Sequence, residues 1–465
     1  MKKYHWISVV IFLCLALSIL GAEWTTGFTG GGFFWLRAAS RIGPPLCLFV
    51  LGAFTGAFRI RSGARRDFAL LGGLLVLACL VTHEITYFGG VEWEGGFDYS
   101  LLGSLLAVAC GYQGYWVAQN EHESRWLLRK IAFACALGSL LGGCLRVAGL
   151  EGYPFLVPGW PTRLVFLFGY CWYLHQWLTS RAKHLWGLLG VAACSVEVWL
   201  AFHKPVVFSA SVASVVLVCY SLWATRRPAI ILWRMGILSL LAITAFVAVN
   251  TYSSGRLLSQ VEEIIYEKFL HQSAEDIRAS GERLEKAAGG RFDLWEVGFE
   301  RFKRYPLFGS GFGQSVSGTA SAEDGAAVYL HNWYLDYLVS GGIVGSLPIF
   351  AALVWWLLRV SKRRVITQAG SVVVPCLAYI AALMAYNLGG SIRMFFSVTP
   401  MAVLIMAMVT RVADQALTPQ PGRPNGQPLS PALARGRGKP SQAGRPSPRA
   451  LVQRQATGGG GGKHA

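Results

Sequence analysis

Two stretches of this chain hold residue types whose spacing could do chemistry. GGRFDLWEVGFERFKRYPLFGSGFGQS runs from Gly289 to Ser315, and HNWYLDYLVSGGIVG runs from His331 to Gly345. Arg291 is a permanent cation whose planar fork matches phosphate oxygens with two parallel hydrogen bonds. It follows Gly289 and Gly290, a place suited to a helix start, where free backbone N–H groups would face an anion. His331 carries an imidazole that can take a proton near neutral pH, a step that contributes about 10²- to 10⁴-fold to a rate. Asn332 or Asp336 could orient that ring, and Gly342 and Gly345 would let helices pack closely beside it. Lys204, in FHKPVVFSAS, and Arg393, after YNLGGSI, are further candidate cations for substrate phosphates. Each of these has a second reading. Arg291 also suits a cation reaching toward lipid headgroups, His331 a ring bonded within a helix bundle, and Lys204 and Arg393 ordinary flanking charge. Trp295, Phe299 and Phe302 read as apolar packing ahead of a platform for sugar.

The elements that must position these residues follow from composition. Of 465 residues, 54% are hydrophobic and only 14% charged, against about 25% charged in a soluble chain. Mean hydropathy is +0.44. The apolar residues come in blocks near the ~20 residues that cross a ~30 Å hydrocarbon core. Twelve spans can be drawn, near 5–21, 42–58, 68–87, 99–119, 131–150, 164–180, 184–202, 205–223, 229–250, 342–360, 370–388 and 394–411. The first, after Lys2 and Lys3, reads as a retained span. The expected fold is all-α and polytopic, with a helical loop domain outside the membrane.

Charge sets the expected orientation. One side receives Lys2 and Lys3, then Arg59, Arg61, Arg65 and Arg66, then Arg125, Arg129 and Lys130. The same side takes Arg181 and Lys183, Arg226 and Arg227, and Lys362, Arg363 and Arg364. Alternate loops are basic, which places both termini in the cytoplasm. The net charge of +18 is therefore loop and tail charge and does not imply nucleic acid. The ten cysteines all sit in apolar blocks without Cys-x-x-Cys spacing and read as small membrane-core residues.

Four regions follow. Residues 1–250 hold spans one to nine, 251–341 a helical outer loop and its return to the membrane, 342–411 spans ten to twelve, and 412–465 a disordered cytoplasmic tail. The tail is rich in Pro, Gly, Arg and Ser and lacks the apolar surface to offset its ordering entropy. In the loop, Leu257, Leu258, Val261, Ile264, Ile265 and Phe269 repeat at helical spacing, as do Phe292, Trp295, Phe299 and Phe302. Gly289-Gly290 separates the two helices and Pro306 stops the second.

The loop residues resemble the O-antigen ligase and polymerase superfamily of bacterial envelopes. That family's loop carries an Arg, an aromatic and a Pro-x-x-Gly-x-Gly turn, matched by Arg291, Trp295, Pro306, Gly309 and Gly311. The ligase signature is a His, then Asn, Ser or Gln, with two glycines spaced beyond, matched by His331, Asn332, Gly342 and Gly345. Lys204 stands where the family often has Arg, which keeps the charge and loses the fork. The resemblance covers roughly Tyr4 to Arg411 and implies a GT-C-like bundle of about twelve spans in the bacterial inner membrane. It implies transfer of an undecaprenyl-diphosphate-linked O-antigen to a sugar hydroxyl of lipid A core, inverting and metal-independent, with no cofactor. Arg291, Lys204 and Arg393 would hold the diphosphate, His331 would act on the acceptor, and Asn332, Asp336, Gly342 and Gly345 would support it.

Other classes compete. An O-antigen polymerase uses the same donor with a second lipid-linked glycan, and a protein O-oligosaccharyltransferase uses a protein acceptor. A lipid-linked glycan transporter needs no general base. Glu92, Glu94 and Asp98 in VEWEGGFD form an outer acidic group that would suit a metal, although exclusion of cations from that loop explains the acidity as well. No Walker loop or dinucleotide fingerprint is present.

Overall fold

Long apolar segments can hide their backbone polar groups from lipid only by closing every N–H and C=O within the segment, so such a chain folds as helices. The computed structural model of the protein describes Trp6, Val9–Val10, Phe12–Leu13, Leu46–Cys47, Val50 and residues 110–118, 121–148, 160–180, 184–200, 204–224, 228–252, 291–310, 330, 332–388 and 398–417. All of these belong to one unit, Met1–Thr418. The described elements are α1 (Glu121–Val147), α2 (Trp160–Thr179), α3 (His184–Leu200), α4 (Lys204–Ala224), α5 (Pro228–Tyr252), α6 (Arg291–Arg304), α7 (Trp333–Val360), α8 (Arg363–Tyr386) and α9 (Val398–Leu417). Residues 110–117 are also helical, and no strand occurs among the described residues. The fold is all-α and polytopic, with four helices among the described residues long and apolar enough to cross a membrane: Glu123–Val147, Pro205–Ala224, Trp333–Val360 and Arg363–Tyr386.

α2 and α8 form the middle of the bundle. Leu164, Leu167, Phe168, Cys171 and Leu174 of α2 and Val373, Cys376, Ala378, Tyr379 and Ala382 of α8 are wholly shielded. The Phe168 and Tyr379 rings meet edge-on with centroids 5.5 Å apart. α1 and α3 flank α2, α4 lies along α8, and α9 packs on α8 and α7. The outer faces stay apolar: Phe133, Leu137 and Leu141 of α1, Trp186 and Leu189 of α3, and Leu232, Trp233 and Ile243 of α5 are exposed. A bundle greasy on both sides suits a hydrocarbon solvent. Close packing of α1, α2 and α3 needs small residues at the crossing. A Cβ at Gly169 would stand 2.6 Å from the Cys135 Cβ and 2.7 Å from the Cys194 Sγ. The described cysteines are free thiols, with Cys110, Cys135, Cys171, Cys194 and Cys376 buried.

Helix ends differ from the predicted spans where polar contacts extend them. α1 starts at Glu121 because Leu127 and Leu128, N-terminal to the predicted span, are buried against protein. α7 starts at Trp333, held by an Asn332 cap. α9 continues to Leu417, past the predicted boundary at 411, because Asp414 is held by Arg359 and Tyr115. The first three predicted spans and the Leu257–Phe269 helix lie almost wholly outside the described residues.

Polar contacts show which helix ends lie together. Arg125 of α1 donates to Ser371 near the start of α8 at 3.1 Å, and Gly370 abuts the Tyr220 hydroxyl near the end of α4. Arg234 near the start of α5 donates to the carbonyls of Trp177 and Leu178 at 2.6 and 2.9 Å, closing the end of α2. Because α8 runs antiparallel to α4, the end of α8 lies with the start of α4. Trp333 N–H bonds to the Asn387 carbonyl at 3.0 Å, which brings the start of α7 to that same end.

Candidate functional site

α6 is a short helix with two unlike faces. Trp295 and Phe302 pack on the buried cluster of Leu330, Leu335 and Val339. Gly298 sits between them, where a Cβ would stand 2.9 Å from the Leu330 Cδ2. The Trp295 indole N–H donates to the Leu330 carbonyl at 2.9 Å. This bond ties the helix that Arg291 opens to the residue that precedes His331. Four residues of helix, about 6 Å of rise, separate Arg291 from Trp295. Trp295 and Phe302 are thus packing residues, as their spacing suggests.

Beyond α6 the chain turns through Pro306 to Ser310 and docks in a break in α7. Gly309 has φ 74° and Gly342 has φ 59°. At Gly342 the helix is interrupted, with ψ −163°, so the backbone groups there need partners from elsewhere. The turn supplies them. Ile343 N–H bonds to the Pro306 carbonyl and Val344 N–H to the Leu307 carbonyl, each at 3.0 Å, and Ser310 N–H bonds to the Val339 carbonyl at 2.8 Å. The Ser346 hydroxyl covers the Tyr337 carbonyl at 2.7 Å. Irregular backbone of this kind survives at membrane depth only when protein satisfies it. The Pro-x-x-Gly turn and the first signature glycine are therefore two halves of one joint.

The structure gives some predicted residues different work. Asn332 caps α7: its Oδ1 accepts the N–H groups of Tyr334 and Leu335, both at 3.1 Å. Asp336 lies half-buried in the first turn of α7, with its N–H on the Asn332 carbonyl at 2.8 Å. Gly342 serves as a backbone break and not as a helix-packing notch, while Gly345 is buried beside it. Lys204 is the first residue of α4 and Arg291 the first of α6, their side chains outside the described residues. His331, Arg393, Gly311 and the acidic group at Glu92, Glu94 and Asp98 also lie outside them.

Sequence reading missed a charged cluster. Glu197 is wholly buried in α3, three residues from its end. Arg146 at the end of α1 grips it through Nη2 at 2.6 Å and Nε at 3.2 Å. Arg163 at the start of α2 stands with its Nε 3.6 Å away. A lone carboxylate inside the apolar run GVAACSVEVWL was the available signal, since such a group in a membrane segment requires a partner. Only three residues join α3 to α4, so this cluster lies at the same end of the bundle as Lys204 and the start of α7. On α6, the exposed Lys303 Nζ meets Glu300 Oε1 at 2.5 Å. That hydrogen bond holds the Glu300 carboxyl below the usual range and raises the Lys303 ammonium. No group of three or more metal-ligating side chains occurs among the described residues.

An all-α bundle with lipid-facing apolar sides, crossed by a helix broken at one end, defines a polytopic membrane protein with its candidate site at that end. The sequence model of a family described as O-antigen ligase matches residues 206–350, from α4 into α7. The matched stretch includes both halves of the α6–α7 joint, the Pro306–Ser310 turn and Gly342. No curated protein matches the chain.

Proposed function

We propose that the protein is an O-antigen ligase of the bacterial inner membrane. It transfers a glycan from undecaprenyl diphosphate to a hydroxyl of the lipid A-core oligosaccharide on the periplasmic side. The observation that supports this reading is the bond from Trp295 to the Leu330 carbonyl, which links the chain at Arg291 to the chain at His331. Arg291 takes the diphosphate, where negative charge grows as the sugar C1–oxygen bond breaks. The acceptor oxygen forms the new bond to C1 from the opposite face, with inversion, and its proton passes to His331. Lys204 and Arg393 add positive charge for the donor, and Asp336 orients the imidazole.

The test is transfer by purified protein supplied with lipid-linked glycan and two acceptors, core lipid and a second lipid-linked glycan. The expected product is glycan on core lipid. Arg291→Ala and His331→Ala each remove it while the protein still inserts and binds detergent micelles as before. Chain extension of the second glycan would replace the ligase reading by a polymerase, and full activity of either variant would remove its assigned role.

A further inference from the structure

The outward face of α6 is unlike the rest of the bundle surface. Phe299, Tyr305 and Leu307 are 50%, 39% and 57% exposed, and Lys303 and Arg304 are exposed among them. Phe299 and Lys303 are one turn apart on one side of the helix, and Arg304 and Tyr305 follow at its end. The inward face, by contrast, is spent on the Leu330 cluster through Trp295 and Phe302. Glu300 and, at longer range, Glu296 oppose the two cations on this ridge, and the Glu300 link to Lys303 is solvent-exposed on both sides, at 67% and 56%. An exposed pair of this kind contributes little, so the ammonium can exchange its carboxylate for a stronger anion. The C-terminal end of a helix favours cations but does not call for large apolar side chains beside them. Apolar rings and a leucine next to two cations match a lipid whose first polar group is a phosphate.

We infer that the ridge Phe299–Lys303–Arg304–Leu307 docks the acceptor, a phosphorylated glycolipid held in the leaflet that faces α6. Lys303 and Arg304 take its phosphate, and Phe299 and Leu307 lie against the lipid beneath. The occupant follows from charge complementarity and from position: about 20 Å of helix separates the ridge from Arg291, so a glycolipid anchored here extends its sugar toward the donor end. This assignment rests on the transferase reading.

The experiment uses the full chain in neutral nanodiscs, with native mass spectrometry of bound diphosphorylated lipid A, dephosphorylated lipid A and phosphatidylglycerol as separate probes. The diphosphorylated probe is expected to bind, the dephosphorylated one to bind on the order of 10-fold more weakly, and K303Q/R304Q to lose most of that difference. Phe299→Ser should weaken both lipid A probes alike, and Glu300→Gln should not weaken either. In transfer assays K303Q/R304Q should raise KM for core lipid with kcat and the donor KM unchanged. Equal binding of phosphatidylglycerol would make the ridge a general headgroup anchor and overturn the proposal, as would unchanged lipid A binding by K303Q/R304Q. Binding as expected without any transfer would leave the ridge in place and remove the transferase reading.

Discussion

At Gly342 the backbone adopts φ 59° and ψ −163°, a region open essentially to glycine alone, where a side chain costs about 1–3 kcal/mol. A Cβ there would also stand 2.5 Å from the Gly309 amide nitrogen. Gly342→Ala is therefore expected to force the Pro306–Ser310 turn out of the break and expose it. Limited proteolysis of the purified protein should show new cleavage between Tyr305 and Ser310, and a digestion pattern identical to wild type would contradict this account of the joint. Glu197 is a second single-residue case. Its removal takes a wholly buried carboxylate away from the Arg146 and Arg163 guanidinium groups, and breaking an ion pair of this kind by removing one partner is destabilising. Glu197→Ala should lower the detergent melting temperature sharply, whereas the Glu197→Leu and Arg146→Leu double change should recover part of the loss. Equal melting of wild type and Glu197→Ala would show that the cluster contributes nothing to stability.

α6 acts as a lever between the two predicted motifs, and Trp295 is its pin. Trp295→Phe keeps the ring on Leu335 and Val339 but deletes the hydrogen bond to the Leu330 carbonyl, worth about 1 kcal/mol. The expected result is a modest loss of stability with a larger fall in transfer, because the positions of Arg291 and His331 become uncoupled. A variant with wild-type turnover would mean that the tie is not used in positioning. Much of α6 was legible in sequence: the Phe292, Trp295, Phe299, Phe302 period, the glycine pair ahead of it and the proline behind it. Its division of labour was not. Phe299 shares the period yet faces outward, because a period gives one face per helix and cannot say whether a residue at the edge of the face meets protein or lipid. Asn332 was legible as a polar residue beside His331, but its side chain goes to the nearest unpaired donors, those of the α7 start, since the first N–H groups of a helix have no partner within it.

For the molecule as a whole, several cations gather at one end of the bundle. Arg125, Arg359 and Lys362 to Arg364 collect at the end that holds the α8 start, away from the α6–α7 joint. With positive loops held inside, a phosphatase fused after Tyr252 should be active and one fused after Arg227 inactive. The reverse pattern would place the candidate site in the cytoplasm and away from a periplasmic donor.

The chain by itself determined that this is an all-α membrane protein and roughly where the described helices from α1 to α9 fall, because hydropathy acts along the chain and needs no tertiary partner. It could not determine that Pro306, Leu307 and Ser310 satisfy the backbone freed at Gly342, that Arg146 and Arg163 converge on Glu197 from two other helices, or that Asp414 prolongs the last helix through Arg359. Those are pairings between residues far apart in sequence. They arise because each buried polar group must find a partner in a medium that offers none, and which partner it finds depends on how the helices meet.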